Sequence, residues 1–247
     1  MEHVYDGRFM HYTDRGSRYS AQALIRLLSE TLPIASVLDI GCARGAWLQA
    51  WREAGVEDVF GVDGDYVDQS ALQIPPARFS AADLAGPIDL ERRFDLVQSL
   101  EVAEHVRAGA ADGFVENIVQ HSRGLVLFSA APPGQGGEFH VNEQPYDYWR
   151  RKFAARGFAA FDWVRPLIAD DRRISFWYRY NTLLYVHEDK IGSLPERVRM
   201  TRVDSTGVAD ITPAWFRLRK LLVRHLPHAA QHALARSKAH LSRVRTR

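Results

Sequence analysis

Residues 36–63 constrain this chain more than any other stretch. The apolar run SVLDI (36–40) carries an acid, Asp39, near its end and enters a turn holding Gly41 and Gly45. Residues 46–54 then place Trp47, Leu48 and Trp51 on one helical face, and Gly55 stops the helix. A second apolar run, 59–62, closes on Asp63. Strand, glycine turn, helix and strand in this order form a parallel βαβ unit. Glycines in such a turn carry no Cβ, so a ligand can lie against the backbone, at the strand ends where open α/β sheets bind.

The pattern continues along the chain. Residues 17–32 read as an amphipathic helix with Leu24, Leu27, Leu28 and Leu32 in register, closed by Pro33. Strands are expected at 78–81, 94–100, 125–130, 158–163 and 181–186, and helices at 112–121 and 145–156. The expected fold is therefore α/β, a doubly wound, mostly parallel sheet with helices on both faces. Residues 1–189 form its domain, with the motif-bearing core at 36–186. Residues 190–213, polar and marked by Gly192, Pro195, Gly207 and Pro213, read as a linker. Residues 214–247 read as a basic helical tail, with Leu218, Leu221, Leu222 and Leu226 on one face, a break at Pro227 and a second helix over 229–244.

Composition narrows the class. A chain of 247 residues that is 46% hydrophobic and 25% charged is neither disordered nor collagen-like. The single cysteine, Cys42, excludes a disulfide framework and any cysteine-built metal site. No apolar run approaches the roughly 20 residues of a membrane helix, and the first residues lack the apolar core of a signal peptide. A cytoplasmic setting is the expectation. The net charge of +2 is uneven: residues 215–247 hold nine Lys or Arg and no acid, which leaves residues 1–214 near −7.

The ligand class follows from the turn. A dinucleotide site favours G-x-G-x-x-G with no leading acid, whereas here the pattern is D-x-G-x-x-x-G. Asp39 would repel a pyrophosphate and suits a cationic amino-acid group. Asp63, 24 residues further on, is placed to take both hydroxyls of a ribose. S-adenosylmethionine is favoured over NAD.

Residues 37–186 resemble the class I S-adenosylmethionine-dependent methyltransferases, particularly those of bacterial glycan and secondary-metabolite assembly. VLDIGCARG resembles the first motif of that family, with Ala43 at the position of its middle glycine. The resemblance implies a Rossmann-like sheet of about seven strands with the last antiparallel. It implies a cofactor site built from Asp39, Gly41, Cys42, Ala43 and Gly45, with Asp63 and Gly64 at the ribose. Asp83 would meet the adenine amino group, with Leu84 beside the ring. SLEVAEHV (99–106) resembles the segment closing the fourth strand, where Glu101 and the Glu104–His105 pair face the cleft.

The acceptor side is expected in SAAPPGQGGEFHVNEQPYDYW (129–149), a glycine-rich loop that brings His140, Asn142, Glu143 and Gln144 together. Methylating a hydroxyl requires removal of its proton, a task suited to histidine. His140 is the first candidate base, His105 the second, and Glu143 would orient either ring. The expected reaction is O-methylation of a small-molecule or glycan-type acceptor. The alternatives are N-methylation of an amine and a catalytically silent cofactor-binding subunit. Residues 172–180, with four aromatic and three basic side chains, would suit a glycosyl acceptor or form a packed lid. Tyr5, Tyr12 and Arg18 are candidates to close over the cofactor carboxylate. No ligand spacing argues for a metal. The tail suits an anionic membrane surface better than nucleic acid.

Overall fold

In the computed structural model the backbone is described for residues 7–223 and the side chains for 17–223. Tyr5, the Tyr12 side chain, the expected helix at 229–244 and most of the basic tail lie outside them. The elements in chain order are α1 (Gly7–Ser29), β1 (Ser36–Ile40), α2 (Ala46–Glu53), β2 (Asp58–Asp63), β3 (Phe79–Ala81) and β4 (Phe94–Leu100). They continue with α3 (Ala111–Gln120), β5 (Ser122–Ser129), α4 (Tyr146–Ala154), β6 (Phe158–Phe161), α5 (Val164–Ile168) and α6 (Phe176–Asn181). β7 (Leu183–His187), α7 (Glu196–Arg199) and α8 (Ala214–Val223) complete the described chain.

The seven strands form one sheet in the order β3-β2-β1-β4-β5-β7-β6. β7 pairs antiparallel with both β5 and β6, and the other pairings are parallel. This is the expected Rossmann-like arrangement, and the strand order reverses between β1 and β4. Two apolar layers cover the sheet. α1 and α2 bury Leu24, Leu28, Leu48 and Trp51 on one face. α3 and α4 bury Phe114, Ile118, Trp149 and Phe153 on the other.

Two features differ from the sequence reading. α1 begins ten residues earlier than 17, because Gly16 costs a helix interior only about 1 kcal/mol and does not stop it. Residues 190–213 are packed onto the body. Leu194 and Val198 are buried, and Val203 N–H donates to the Ala160 carbonyl at 2.9 Å, so this segment covers the outer edge of β6. The leucine stripe of α8 faces outward: Leu218, Leu221 and Leu222 are exposed, while Phe216, Lys220 and Val223 pack inward.

At the reversal point Gly41 has φ 90°, and a Cβ added there would stand 2.4 Å from a Val102 methyl. Gly41→Ala is expected to lower stability by about 1–3 kcal/mol in denaturant unfolding without ligand. Gly109→Ala, whose Cβ would meet nothing within 4 Å, is expected to change it by less than about 0.5 kcal/mol.

Candidate active site

The carboxyl ends of β1, β2 and β4 bring together most of the acids singled out above. Asp39 is buried and lies beside Gln98 in the β1–β4 register. Trp51 donates its indole N–H to Gln98 Oε1 at 2.9 Å, and Gln98 Nε2 donates to Asp39 Oδ2 at 2.9 Å. Burial, only partly offset by Gln98, pushes the Asp39 pKa from 3.8 up to about 7. Asp63 is also buried. Its carboxylate accepts the Ala43 N–H at 2.6 Å, the Gly64 N–H at 2.7 Å and the Tyr66 hydroxyl. Burial raises its pKa as well, against the pull of these donors. The glycine turn is thus tied to the end of β2 through Asp63.

Cys42 plugs the gap over Gly61, where an added Cβ would stand 2.6 Å from its sulfur. Burial drives the thiol well above its ordinary pKa, so it stays neutral. Asp83 is exposed just beyond β3 and caps its own turn by accepting the Ala85 N–H at 2.9 Å, while Leu84 packs against the core. Arg18 is exposed and pairs with Glu53 at 3.2 Å, on the outer surface of α1 and α2.

Beyond β4 the second half of the site assembles. Glu101 has φ 58°, and its carboxylate accepts Asn181 Nδ2 and Gln135 Nε2, each at 3.0 Å. These bonds turn it toward the acceptor loop. Burial raises its pKa. Glu104 is fully buried, and neither carboxylate oxygen makes a well-formed side-chain hydrogen bond. Burial and then the charge of Glu101 push its pKa well above the ordinary carboxylate range. Its backbone carbonyl accepts the N–H groups of both Val141 and Asn142 at 2.9 Å, and this pins the acceptor loop onto the Glu104–His105 turn.

The pin delivers His140 to the site. His140 Nδ1 lies 2.8 Å from Glu143 Oε1 and Nε2 lies 3.9 Å from Glu104 Oε1. The His105 and His140 rings meet edge to face at 5.0 Å, and His105 Nδ1 lies 3.2 Å from the Phe139 carbonyl. Glu143 accepts the Gly134 and Gly136 N–H groups at 2.8 and 2.7 Å, which folds residues 134–143 into a hook. An added Cβ at Gly137 would collide with the His140 ring at 2.1 Å, so the ring lies flush on that glycine.

Of residues 172–180, Tyr178 and Tyr180 are buried and Phe176 packs on Phe216 of α8 at 4.3 Å. Arg172 and Arg173 are exposed. These aromatic side chains are committed to internal packing.

A family model described as a methyltransferase domain matches residues 9–162, more than half of the chain. The chain belongs to that methyltransferase family. No curated protein sequence matches it. Solved structures that share the fold include the magnesium protoporphyrin IX methyltransferase ChlM of Synechocystis, with bound SAH. It is 19% identical with a TM-score of 0.52, over 71% of this chain and 86% of its own. The sugar N-methyltransferase KedS8 of Streptoalloteichus is 16% identical with a TM-score of 0.59, over 76% and 95%. SAM-bound CalS10, an amino pentose methyltransferase of Micromonospora echinaspora, is 16% identical with a TM-score of 0.51, over 76% and 99%.

The methyltransferase uses S-adenosylmethionine. Its residues fit that group: a turn without Cβ atoms at Gly41 and Gly45, and an acid at or just past the end of each of three neighbouring strands. Asp39 would face the cationic amino-acid end, Asp63 the ribose and Asp83 the base. Sequence reading missed Tyr66, Gln98, Gln135 and Asn181. Gln98 alone left a signal, as the one amide in the strand FDLVQSL.

Folding raises the Asp39 pKa, so the native state keeps a proton that the unfolded chain has lost between about pH 4 and 7. Its contribution to stability is full below that window and is lost as the pH rises through it. A cationic ligand favours the ionised form, so S-adenosylmethionine binding is expected to tighten about tenfold per pH unit approaching 7 from below. Calorimetric titration from pH 6 to 8 checks this, and Asp39→Asn is expected to flatten the profile.

Proposed function

We propose that the enzyme methylates a hydroxyl of a small-molecule or sugar-type acceptor, with His140 receiving the hydroxyl proton and Glu143 orienting its ring. The His140–Glu143 pair, at 2.8 Å in a loop pinned beyond the sheet edge, carries this reading. Glu143 as acceptor places the ring proton on Nδ1 and directs basicity to Nε2. When bound, S-adenosylmethionine supplies an electrophilic methyl on a sulfonium. The hydroxyl proton passes to Nε2 as the oxygen bonds the methyl carbon. The cofactor would leave as the neutral thioether, keeping the electron pair of its former carbon–sulfur bond. The loop hook holds the base in line, and positioning of this kind accounts for much of the barrier reduction in such displacements.

N-methylation of an amino sugar is the second reading. KedS8 and CalS10 act on sugars of that type, and the carboxyl groups of Glu101, Glu104 and Glu143 suit an ammonium group. An amine loses its proton readily, so it would leave His140 dispensable. His140→Gln and His140→Ala are therefore expected to lower kcat about 10²- to 10⁴-fold on a hydroxyl acceptor, with cofactor affinity unchanged. Unchanged turnover in a screen of sugars, nucleotide sugars, phenols and amines would move the assignment to nitrogen.

We also propose that this cytoplasmic enzyme works beside an anionic membrane surface. Trp215, Leu218 and Leu222 are exposed along one side of α8, in a region with basic residues and no acids. Co-sedimentation with phosphatidylglycerol vesicles is expected, and replacing these three residues with Ser, Gln and Gln should abolish it. Equal pelleting of both proteins would refute the contact.

A further inference from the structure

We infer that Glu104, His105 and His140 hold a divalent transition-metal ion. One ligand atom from each residue, two imidazole nitrogens and a carboxylate oxygen, lies within 4.8 Å of the others. Ligands bound about 2.0–2.2 Å from an ion stand roughly 3–3.5 Å apart, so a shift of about an ångström closes the set. Two further observations point to a cation. Glu104 is fully buried, neither carboxylate oxygen makes a well-formed side-chain hydrogen bond, and only the backbone amides of Glu104 and Ala131 offset its burial, which is costly for a carboxylate that has no counter-charge. Both imidazoles also have an acceptor at Nδ1, Glu143 for His140 and the Phe139 carbonyl for His105. An outer acceptor on one ring nitrogen fixes the tautomer and presents the other to a metal, as is usual at histidine metal sites.

The donor set selects the ion. Two imidazoles and one carboxylate suit zinc, manganese, iron or cobalt, and they disfavour magnesium and calcium, which prefer oxygen alone. Three protein ligands leave positions open on the cleft side. There the ion would acidify an acceptor hydroxyl, with His140 as a ligand and the proton leaving to solvent. This role keeps the hydroxyl acceptor proposed above and replaces His140 as its base, since Nε2 cannot hold the ion and take the proton; binding of the ion rests on neither. Sequence reading named these residues and missed their union, because 104–105 and 140 are brought together by main-chain groups, two amides on the Glu104 carbonyl and the Phe139 carbonyl at His105.

The test is titration of the chelator-treated, full-length protein with Co²⁺ alone, followed by calorimetry and visible d–d absorption. One ion per chain is expected. Glu104→Gln and His105→Asn should abolish saturable binding, and Glu143→Gln should weaken it about 10- to 100-fold. Glu104→Gln keeps the side-chain shape and removes a buried acid, so thermal melts should show it folded. Absence of saturable Co²⁺ and Zn²⁺ binding, or binding indifferent to Glu104→Gln and His105→Asn, overturns the site. Full activity of verified metal-free enzyme overturns the catalytic role and leaves the histidine base standing. Binding lost in the variants, in an enzyme that methylates only amines, keeps the site and refutes the hydroxyl reading.

Discussion

Burying carboxylates at the carboxyl edge of the sheet is the constraint around which this molecule is organised. A desolvated carboxylate is costly unless donors or a counter-charge meet it. The chain meets the cost residue by residue. Asp63 collects two backbone N–H groups and the Tyr66 hydroxyl. Asp39 is served by Gln98, itself held by Trp51. Glu101 takes two amide donors and Glu143 takes two glycine N–H groups. Glu104 has burial offset by no side-chain donor, only by the backbone amides of Glu104 and Ala131. Backbone strain follows the same map. Ala43, Glu101 and Phe139 are three of the four non-glycine residues with left-handed φ among the described residues, and all three lie at the site.

The acceptor loop is held by backbone chemistry more than by side-chain packing. The Glu104 carbonyl takes two successive amides from the loop, and Glu143 closes the loop on itself. A third support comes from α8, whose Arg219 donates to the Gln135 carbonyl at 2.8 Å. Gly134 is enclosed as well, since an added Cβ would stand 2.3 Å from the Lys220 carbonyl. The first helix of the basic region is therefore part of the scaffold of the site, not an appendage to it.

How much of this the sequence discloses depends on the range of the interaction concerned. Strands, helices and the strand-end acids Asp39 and Asp63 are legible because each is a local pattern, an apolar run closed by a charge or a glycine. The leucines of α8 illustrate the limit. Their spacing identifies a face, but periodicity carries no information on whether that face meets the body, and here Phe216, Lys220 and Val223 take the inward position. Residues 190–213 fail for a related reason. Their contribution is a backbone pairing with the edge of β6, and backbone donors leave no trace in side-chain polarity. The Glu104–His140 approach is invisible for the same reason, being set by main-chain bonds between segments over thirty residues apart.

These supports form one connected path. Arg219 of α8 bonds the Gln135 carbonyl, and the Gln135 side chain bonds both Glu101 and Asn181. Asn181 in turn bonds Glu101 and accepts the Tyr146 hydroxyl at 3.0 Å. A displacement of α8 thus acts on the carboxylate beyond β4 through two hydrogen-bonding residues. The exposed apolar face of α8, with Trp215, Leu218 and Leu222, borders Arg219 and lies opposite Lys220. Seating that face on a surface would leave the contact of Lys220 with Asp210 in place, because Lys220 lies on the other side of the helix. Arg219, at the border of that face, is therefore the point at which engagement of α8 would reach the acceptor loop, while Glu101 and Glu104 are set by the body of the fold.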